Sequence, residues 1–354
     1  MNKRVVFTLA IIIVLGIGAL LIANKTAPSA SVQTTTSSAE NKNTHPLSIA
    51  AMRQRSYDSS LVVGQRLPGG TNYYQYIAFY MSDGLKIYGL LTVPIESSTQ
   101  VKPKSGWPTI LFNHGYINPQ TYQTDPSVGQ YASYLPVFAE NGYVVFKPDY
   151  RGNGNSEGQP EGAYYSNAYI IDDLNALSAL KKYSGVNPNK IGVWGHSMGG
   201  NITLKDLVIR PNDIKAAVIW GGVVGSYDDL MNHWQRSVSY QPPPNELALR
   251  NRYRSNLIQQ YGTPQSNPAF WQSIDPTYFV SDIKAPIQLD VGGSDEEVPV
   301  TFSKSFYQKL QNAHKTAEYF EYPGADHNIS QSFSDAMQHS LDFFNIYLKG
   351  GGKI

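Results

Sequence analysis

The chain is 354 residues long and carries 28 lysines and arginines against 27 aspartates and glutamates, a net charge of +1, so it offers no basic field to hold nucleic acid. A content of 41% hydrophobic and 16% charged residues suits one large α/β domain. The absence of cysteine excludes disulfides and a lipidated N-terminal cysteine. No grouping of histidine, aspartate and glutamate has metal-ligand spacing, no cofactor is implied, and the paired acids Asp172-Asp173 and Asp228-Asp229 read as helix-end charges.

At the N-terminus, Asn2-Lys3-Arg4 gives a positive flank to an uncharged apolar run over residues 5–23, just long enough to cross a bilayer core. Small residues in a cleavage-site pattern occur only far downstream, at Ser37-Ser38-Ala39. Residues 1–25 are therefore expected to be an uncleaved membrane anchor, with a cleaved signal as the alternative; both place the rest of the chain outside the cytoplasm. The membrane is met through this segment alone. Residues 26–72 read as tether and lead-in, and the Ser/Thr/Asn-rich part over 26–44 lacks the apolar content for a core.

Strands and helices then alternate. Residues 76–81 and 86–93, separated by Ser82-Asp83-Gly84, read as a hairpin. A third strand over 108–112 exits into Asn113-His114-Gly115-Tyr116, followed by a helix over 128–140 and a strand over 143–147. The next helix has Ile170, Leu174, Leu177 and Leu180 on one face, the period of burial against a sheet. Residues 190–194 form a strand that hands over, through Gly195-His196-Ser197-Met198-Gly199, to a helix over 201–210, and a sixth strand follows at 216–220. Residues 226–281 break the alternation. With Trp234, Pro242-Pro243-Pro244, Tyr253, Tyr261 and Phe270-Trp271, they are too long for a simple connection and read as a helical cap whose aromatics line a substrate pocket. Strands at 286–291 and 318–322 and a closing helix with Phe333, Met337, Leu341, Phe344 and Leu348 on one face complete the domain. The 25 tyrosines serve strand and surface packing.

Gly195-His196-Ser197-Met198-Gly199 fits G-x-S-x-G at a strand-to-helix turn, a geometry that exposes a serine hydroxyl. Such a hydroxyl needs a general base and an acid to orient that base. Of the seven histidines, only His327 follows a strand in a short loop before the last helix, and it is the candidate base. Asp295, in the loop Gly292-Gly293-Ser294-Asp295-Glu296-Glu297-Val298-Pro299 at the carboxyl end of the seventh strand, is the candidate acid, because functional groups of open α/β sheets collect at that edge. Asp290 lies inside the strand, Glu296 and Glu297 read as solvated charges, and Asp326 is too local to reach the far ring nitrogen. The oxyanion formed in such a reaction needs preorganised donors, expected from the backbone amides of Met198 and Tyr116. His114 reads as a packed loop histidine.

Asn113-His114-Gly115-Tyr116, the run from Asp149-Tyr150-Arg151-Gly152 to Gly158, the serine turn, Gly293-Ser294-Asp295 and Gly324-Ala325-Asp326-His327 occur in the order and spacing of the α/β-hydrolase superfamily. Together they resemble the catalytic domain of the prolyl oligopeptidase group of serine peptidases and its esterase relatives, over residues 73–349. The resemblance implies an α/β-hydrolase fold: a mostly parallel eight-stranded sheet flanked by helices, with the cap inserted after the sixth strand. It also implies a triad of Ser197, Asp295 and His327 and an oxyanion hole of the Met198 and Tyr116 amides. The residues ahead of position 73 leave no room for the propeller of the larger oligopeptidases, and Gly-His-Ser-Met-Gly is more typical of esterases. The expected activity is hydrolysis of small esters through an acyl-enzyme; the alternative is an exopeptidase acting on short peptides.

Overall fold

A computed structural model describes residues 45–125, 129, 131–161, 164–234 and 244–351. The elements in chain order are α1 (Ile49–Gln54), β1 (Val62–Leu67), β2 (Tyr73–Ser82), β3 (Leu85–Pro94), β4 (Trp107–Asn113), α2 (Tyr134–Glu140), β5 (Val144–Pro148), α3 (Ala168–Lys182), β6 (Val186–His196), α4 (Met198–Ile209), β7 (Ala216–Trp220), α5 (Pro244–Tyr261), α6 (Pro268–Ile274), β8 (Ile287–Gly292), α7 (Val300–Asn312), β9 (Ala317–Tyr322) and α8 (Phe333–Phe344). The nine strands form one sheet in the order β1-β2-β3-β5-β4-β6-β7-β8-β9. β1, β2, β3 and β5 pair antiparallel in succession, and every pairing from β5 through β9 is parallel.

Alternation along the central strands divides the core. Ile110, Phe112, Trp194 and Val218 face one side, with Phe138 of α2 and Met337, Phe344 and Leu348 at the closing helix. Leu111, Val193, Ile219 and Leu289 face the other, with Leu174 and Leu177 of α3, Leu204 of α4 and Phe306 of α7. Each of these central strands thus buries both faces, as a sheet covered by helices on two sides requires. The apolar stripe anticipated on the closing helix is seated this way, except that Phe333 is only partly buried.

The register brings five carboxyl ends to one edge. Asn113 pairs with Gly195, His196 with Trp220, Trp220 with Asp290, and Gly292 with Tyr322. β5 lies on one side of β4 and β6 on the other, so the loops after β4 and β6 border a topological switch point, where open α/β sheets form their ligand crevice.

The sheet has nine strands where eight were expected. The ninth is β1, drawn from the lead-in; five of its six residues are exposed, so it lacks the alternation that marks a half-buried strand. The lead-in also forms α1, too short for a helical period, held by the Ser48 hydroxyl accepting from the Ala51 amide at 3.1 Å and by burial of Ile49 and Met52. The helix expected over 128–140 occupies only Tyr134–Glu140, and the one expected from residue 201 begins at Met198. The expected anchor and tether, residues 1–44, lie outside the described residues, as do Pro242 and Pro243. Among the described residues no helix is long and apolar enough to cross a membrane.

Candidate active site

Ser197 directly follows β6 and caps α4 with φ 56° and ψ −118°, a backbone state that costs a non-glycine residue on the order of 1–3 kcal/mol. The surroundings enforce it. The Ser197 amide donates to the Trp220 carbonyl at 3.0 Å, and its carbonyl accepts from the Gly200 and Val223 amides, each at 3.0 Å. A Cβ at Gly195 would lie 2.3 Å from Thr203 Oγ1, and one at Gly199 would lie 1.9 Å from the Asn113 carbonyl oxygen. Gly195 therefore lets the turn pack against α4, and Gly199 lets it pack against the end of β4. The Met198 amide opens α4, where the first-turn donors have no partner within the helix.

Asp295 and His327 meet at the ends of β8 and β9. His327 Nδ1 lies 2.8 Å from Asp295 Oδ2, with the Asp295 side chain fully buried. Asp295 Oδ1 accepts from the Glu297 and Val298 amides, each at 2.9 Å. Both carboxylate oxygens are thus engaged, one by two backbone amides and the other by the imidazole. Around His327, Asp326 Oδ1 accepts from the Asn328 and Ser330 amides, so Asp326 shapes the loop. Asp290 is occupied elsewhere, accepting from Gln288 and Tyr322 at 2.7 Å each.

Gly221 makes room for the pair: at φ +47°, a Cβ there would lie 3.1 Å from His327 Nδ1 and 3.2 Å from Asp295 Oδ2. Sequence reasoning passed over it; the only signal was the Gly221-Gly222 doublet directly after a strand.

Ser197, Met198, Tyr116 and His327 line one cavity of about 1130 Å³. Glu297 also borders it, with Oε2 4.0 Å from His327 Nε2. The other two histidines near the turn are ruled out as bases by burial. It pushes His114 down to about 3, with help from the Lys147 charge, and His196 down to about 3. His114 Nδ1 donates to the Gly115 carbonyl at 2.6 Å, and its ring packs 4.5 Å from that of Tyr150.

Two expectations are corrected here. Asp172 and Asp173 are not helix-end charges but fully buried. Asp172 holds the Arg151 guanidinium (2.7 Å to Nη2) and accepts from Ser82 Oγ at 2.6 Å, while Asp173 Oδ2 accepts from Asn113 Nδ2 at 3.0 Å. A buried charge needs such partners, and they come from segments distant in sequence. Likewise, Trp234, Tyr253, Tyr261, Phe270 and Trp271 do not line the cavity; among the described residues the cap contributes Leu249, Arg250 and Arg252. Tyr261 stacks on Phe270 at 4.0 Å and Phe270 meets Trp271 edge-on, and the group joins the core that α3, α4 and α7 build against the sheet. Trp234 instead anchors it, donating from Nε1 to the Glu297 carbonyl at 2.8 Å and underlying the Arg250 guanidinium at 4.9 Å.

A sheet of this order, with a serine thrust out between β6 and α4, is the α/β-hydrolase fold, and the chain is a serine hydrolase of that kind. It belongs to the prolyl oligopeptidase family, whose model matches residues 130–351. It is 28% identical over 269 residues to the uncharacterized peptidase YtmA of Bacillus subtilis, a match covering 75% of this chain and 91% of that one. Among solved structures it resembles the acetyl xylan esterase of Paenibacillus sp. R4, with a TM-score of 0.60, 19% identity, and 85% of this chain and 92% of that chain covered. It also resembles the acylaminoacyl peptidase of Pyrococcus horikoshii, with a TM-score of 0.56, 18% identity, and 79% and 41% covered. At such identities the structural likenesses establish the fold. The chain spans less than half of the acylaminoacyl peptidase.

Proposed function

We propose that Ser197, His327 and Asp295 form a catalytic triad that hydrolyses small esters by two-step acyl transfer. His327 Nε2 takes the Ser197 proton as the hydroxyl attacks the carbonyl. The Met198 and Tyr116 amides hold the developing oxyanion, and Asp295 stays ionised and orients the imidazole. His327 then protonates the leaving group, and in the second step activates a water to release the acid. The single observation that carries this reading is the 2.8 Å contact between His327 Nδ1 and the buried Asp295 carboxylate, beside a serine on the same cavity wall.

The test is fluorophosphonate labelling of the full chain and of Ser197→Ala, followed by kinetics on acyl esters of increasing length and on aminoacyl anilides. Labelling that requires Ser197, with ester turnover far above anilide turnover, supports the esterase. Undiminished turnover in Ser197→Ala overturns the triad. A second reading, an exopeptidase on short peptides, is favoured by membership of the prolyl oligopeptidase family and would be seen as comparable anilide turnover.

The apolar run over residues 5–23 behind Asn2-Lys3-Arg4 supports export of the hydrolase with the run retained as an anchor. In cells expressing the full chain, a protease added outside the cytoplasmic membrane should digest the hydrolase, and the protein should sediment with membranes. A soluble, protected protein would refute this placement.

A further inference from the structure

We infer that Tyr131 and His196 are positioning residues, joined in a one-directional hydrogen-bond relay that locks the oxyanion loop, the serine turn and the histidine loop to one another. The inference rests on the triad reading above for its functional consequence, and on geometry for its existence. The Gly115 amide lies 2.7 Å from Tyr131 Oη. Tyr131 Oη lies 2.7 Å from His196 Nδ1, and His196 Nε2 lies 3.1 Å from the His327 carbonyl oxygen. Tyr131 is 5% exposed, His196 3% and His327 6%, so all three are buried where they border the cavity.

The direction follows from what each group can do. An amide can only donate, so Tyr131 Oη accepts from Gly115 and has one proton left to give. A carbonyl can only accept, so His196 must carry its proton on Nε2. Burial keeps this imidazole neutral, which leaves Nδ1 bare to receive the Tyr131 hydroxyl proton. Every donor then meets an acceptor: Gly115 N–H to Tyr131, Tyr131 O–H to His196 Nδ1, and His196 Nε2–H to the His327 carbonyl. The reverse tautomer would set the Nε2 lone pair against the His327 oxygen and leave the Tyr131 proton without a receiver, which is costly in a buried site.

The two ends of the relay and its His196 link adjoin the three functional loops. Gly115 precedes Tyr116, the second oxyanion donor. His196 precedes Ser197. The His327 carbonyl belongs to the base itself, whose ring meets Asp295 through Nδ1. A Cβ at Gly115 would lie 2.7 Å from Tyr131 Oη and 3.1 Å from Ser197 Cβ, so the tyrosine hydroxyl is wedged where the loops converge. Losing the relay would let the Tyr116 amide, the serine and the imidazole drift independently, and shifts below 1 Å suffice to slow acyl transfer.

The test uses full-length protein in two measurements. The first needs no variant: nitrogen-15 NMR of histidine-labelled wild type should show His196 as a neutral imidazole protonated on Nε2 from pH 5 to 9. Protonation on Nδ1, or titration in that range, overturns the relay. The second compares Tyr131→Phe, His196→Leu and the double variant with wild type on one ester. Each single variant should lose about tenfold to a hundredfold in kcat with KM changed less than about threefold, and the double should lose little more than the worse single, because both cut the same relay. Multiplicative losses, or an unchanged kcat in folded single variants, overturn the positioning role. Failure of the triad reading would appear separately, as retained turnover in Ser197→Ala, and would leave the tautomer result intact.

Discussion

Ser197 is held in a left-handed backbone state by bonds on both sides of its peptide, and the strain is stored in the folded state. Replacing it with glycine should relieve that strain: Ser197→Gly is expected to be inactive yet about 1 kcal/mol more stable than Ser197→Ala, read from thermal or denaturant unfolding. Equal stabilities would show that the turn is relaxed. At Gly221 an added side chain would bring strain rather than relieve it. A methyl group there meets His327 Nδ1 and Asp295 Oδ2 at 3.1 and 3.2 Å and forces a side chain to φ +47°, so Gly221→Ala should lose both stability and most of kcat. His327→Gln should abolish most turnover, whereas His314→Gln, in the turn after α7, should change it little.

Among the elements, α3 and α4 carry a buried carboxyl pair that is sensitive to pH. Asn113 Nδ2 donates to Asp173 Oδ2 at 3.0 Å and Asp206 Oδ2 at 3.3 Å, and the Oδ1 atom of each carboxyl is buried with no partner among the described residues. Burial pushes Asp173 up to about 6 and Asp206 well above the usual carboxylate range, where the neighbouring Asp173 raises it further while the hydrogen bond with Asp206 holds Asp173 lower, so the two share a proton. Both would ionise near 4 in the unfolded chain. Their contribution to stability is therefore complete below that range and is lost as pH rises through about 6 and beyond. Asp206→Asn replaces the shared proton with a permanent amide hydrogen, so its melting temperature should exceed that of the wild type by several degrees at pH 8 and by little at pH 5. An equal shift at both values would refute proton sharing. In the cap, Trp234→Phe removes the bond to the Glu297 carbonyl and should raise KM for long acyl esters more than for acetyl esters, with kcat on the shortest ester nearly unchanged.

At the scale of the whole molecule, the sequence made the parallel core and the loop positions of Ser197, Asp295 and His327 legible, because buried strands, Gly-flanked turns and a closing amphipathic helix leave strong local patterns. Tyr131 left none. It lies in an irregular run, and its partners Gly115 and His196 come from different strand ends, so its place depends on sheet order rather than on neighbours in the chain. β1 was invisible for the opposite reason: an exposed edge strand has no inward face to write into the sequence. The buried acids of α3 look like any pair of surface charges until Arg151 and Asn113 arrive from elsewhere in the fold. Hydrogen exchange should show the resulting gradient: amides of α4 exchanging only through global unfolding, and those of α5, much of which faces solvent, through local opening. Comparable protection in both helices would contradict it.

All twelve residues of α4 are buried. The helix that carries the serine therefore has no face on which a substitution would go unnoticed, while Leu249, Arg250 and Arg252 of α5 reach the cavity from a half-open element. A library randomised over α4 should yield few folded clones, and one randomised over the cavity-facing cap positions should yield many. Changes of substrate preference in this chain, whether selected in the laboratory or accumulated by drift, therefore have an inexpensive route through the cap and none through α4.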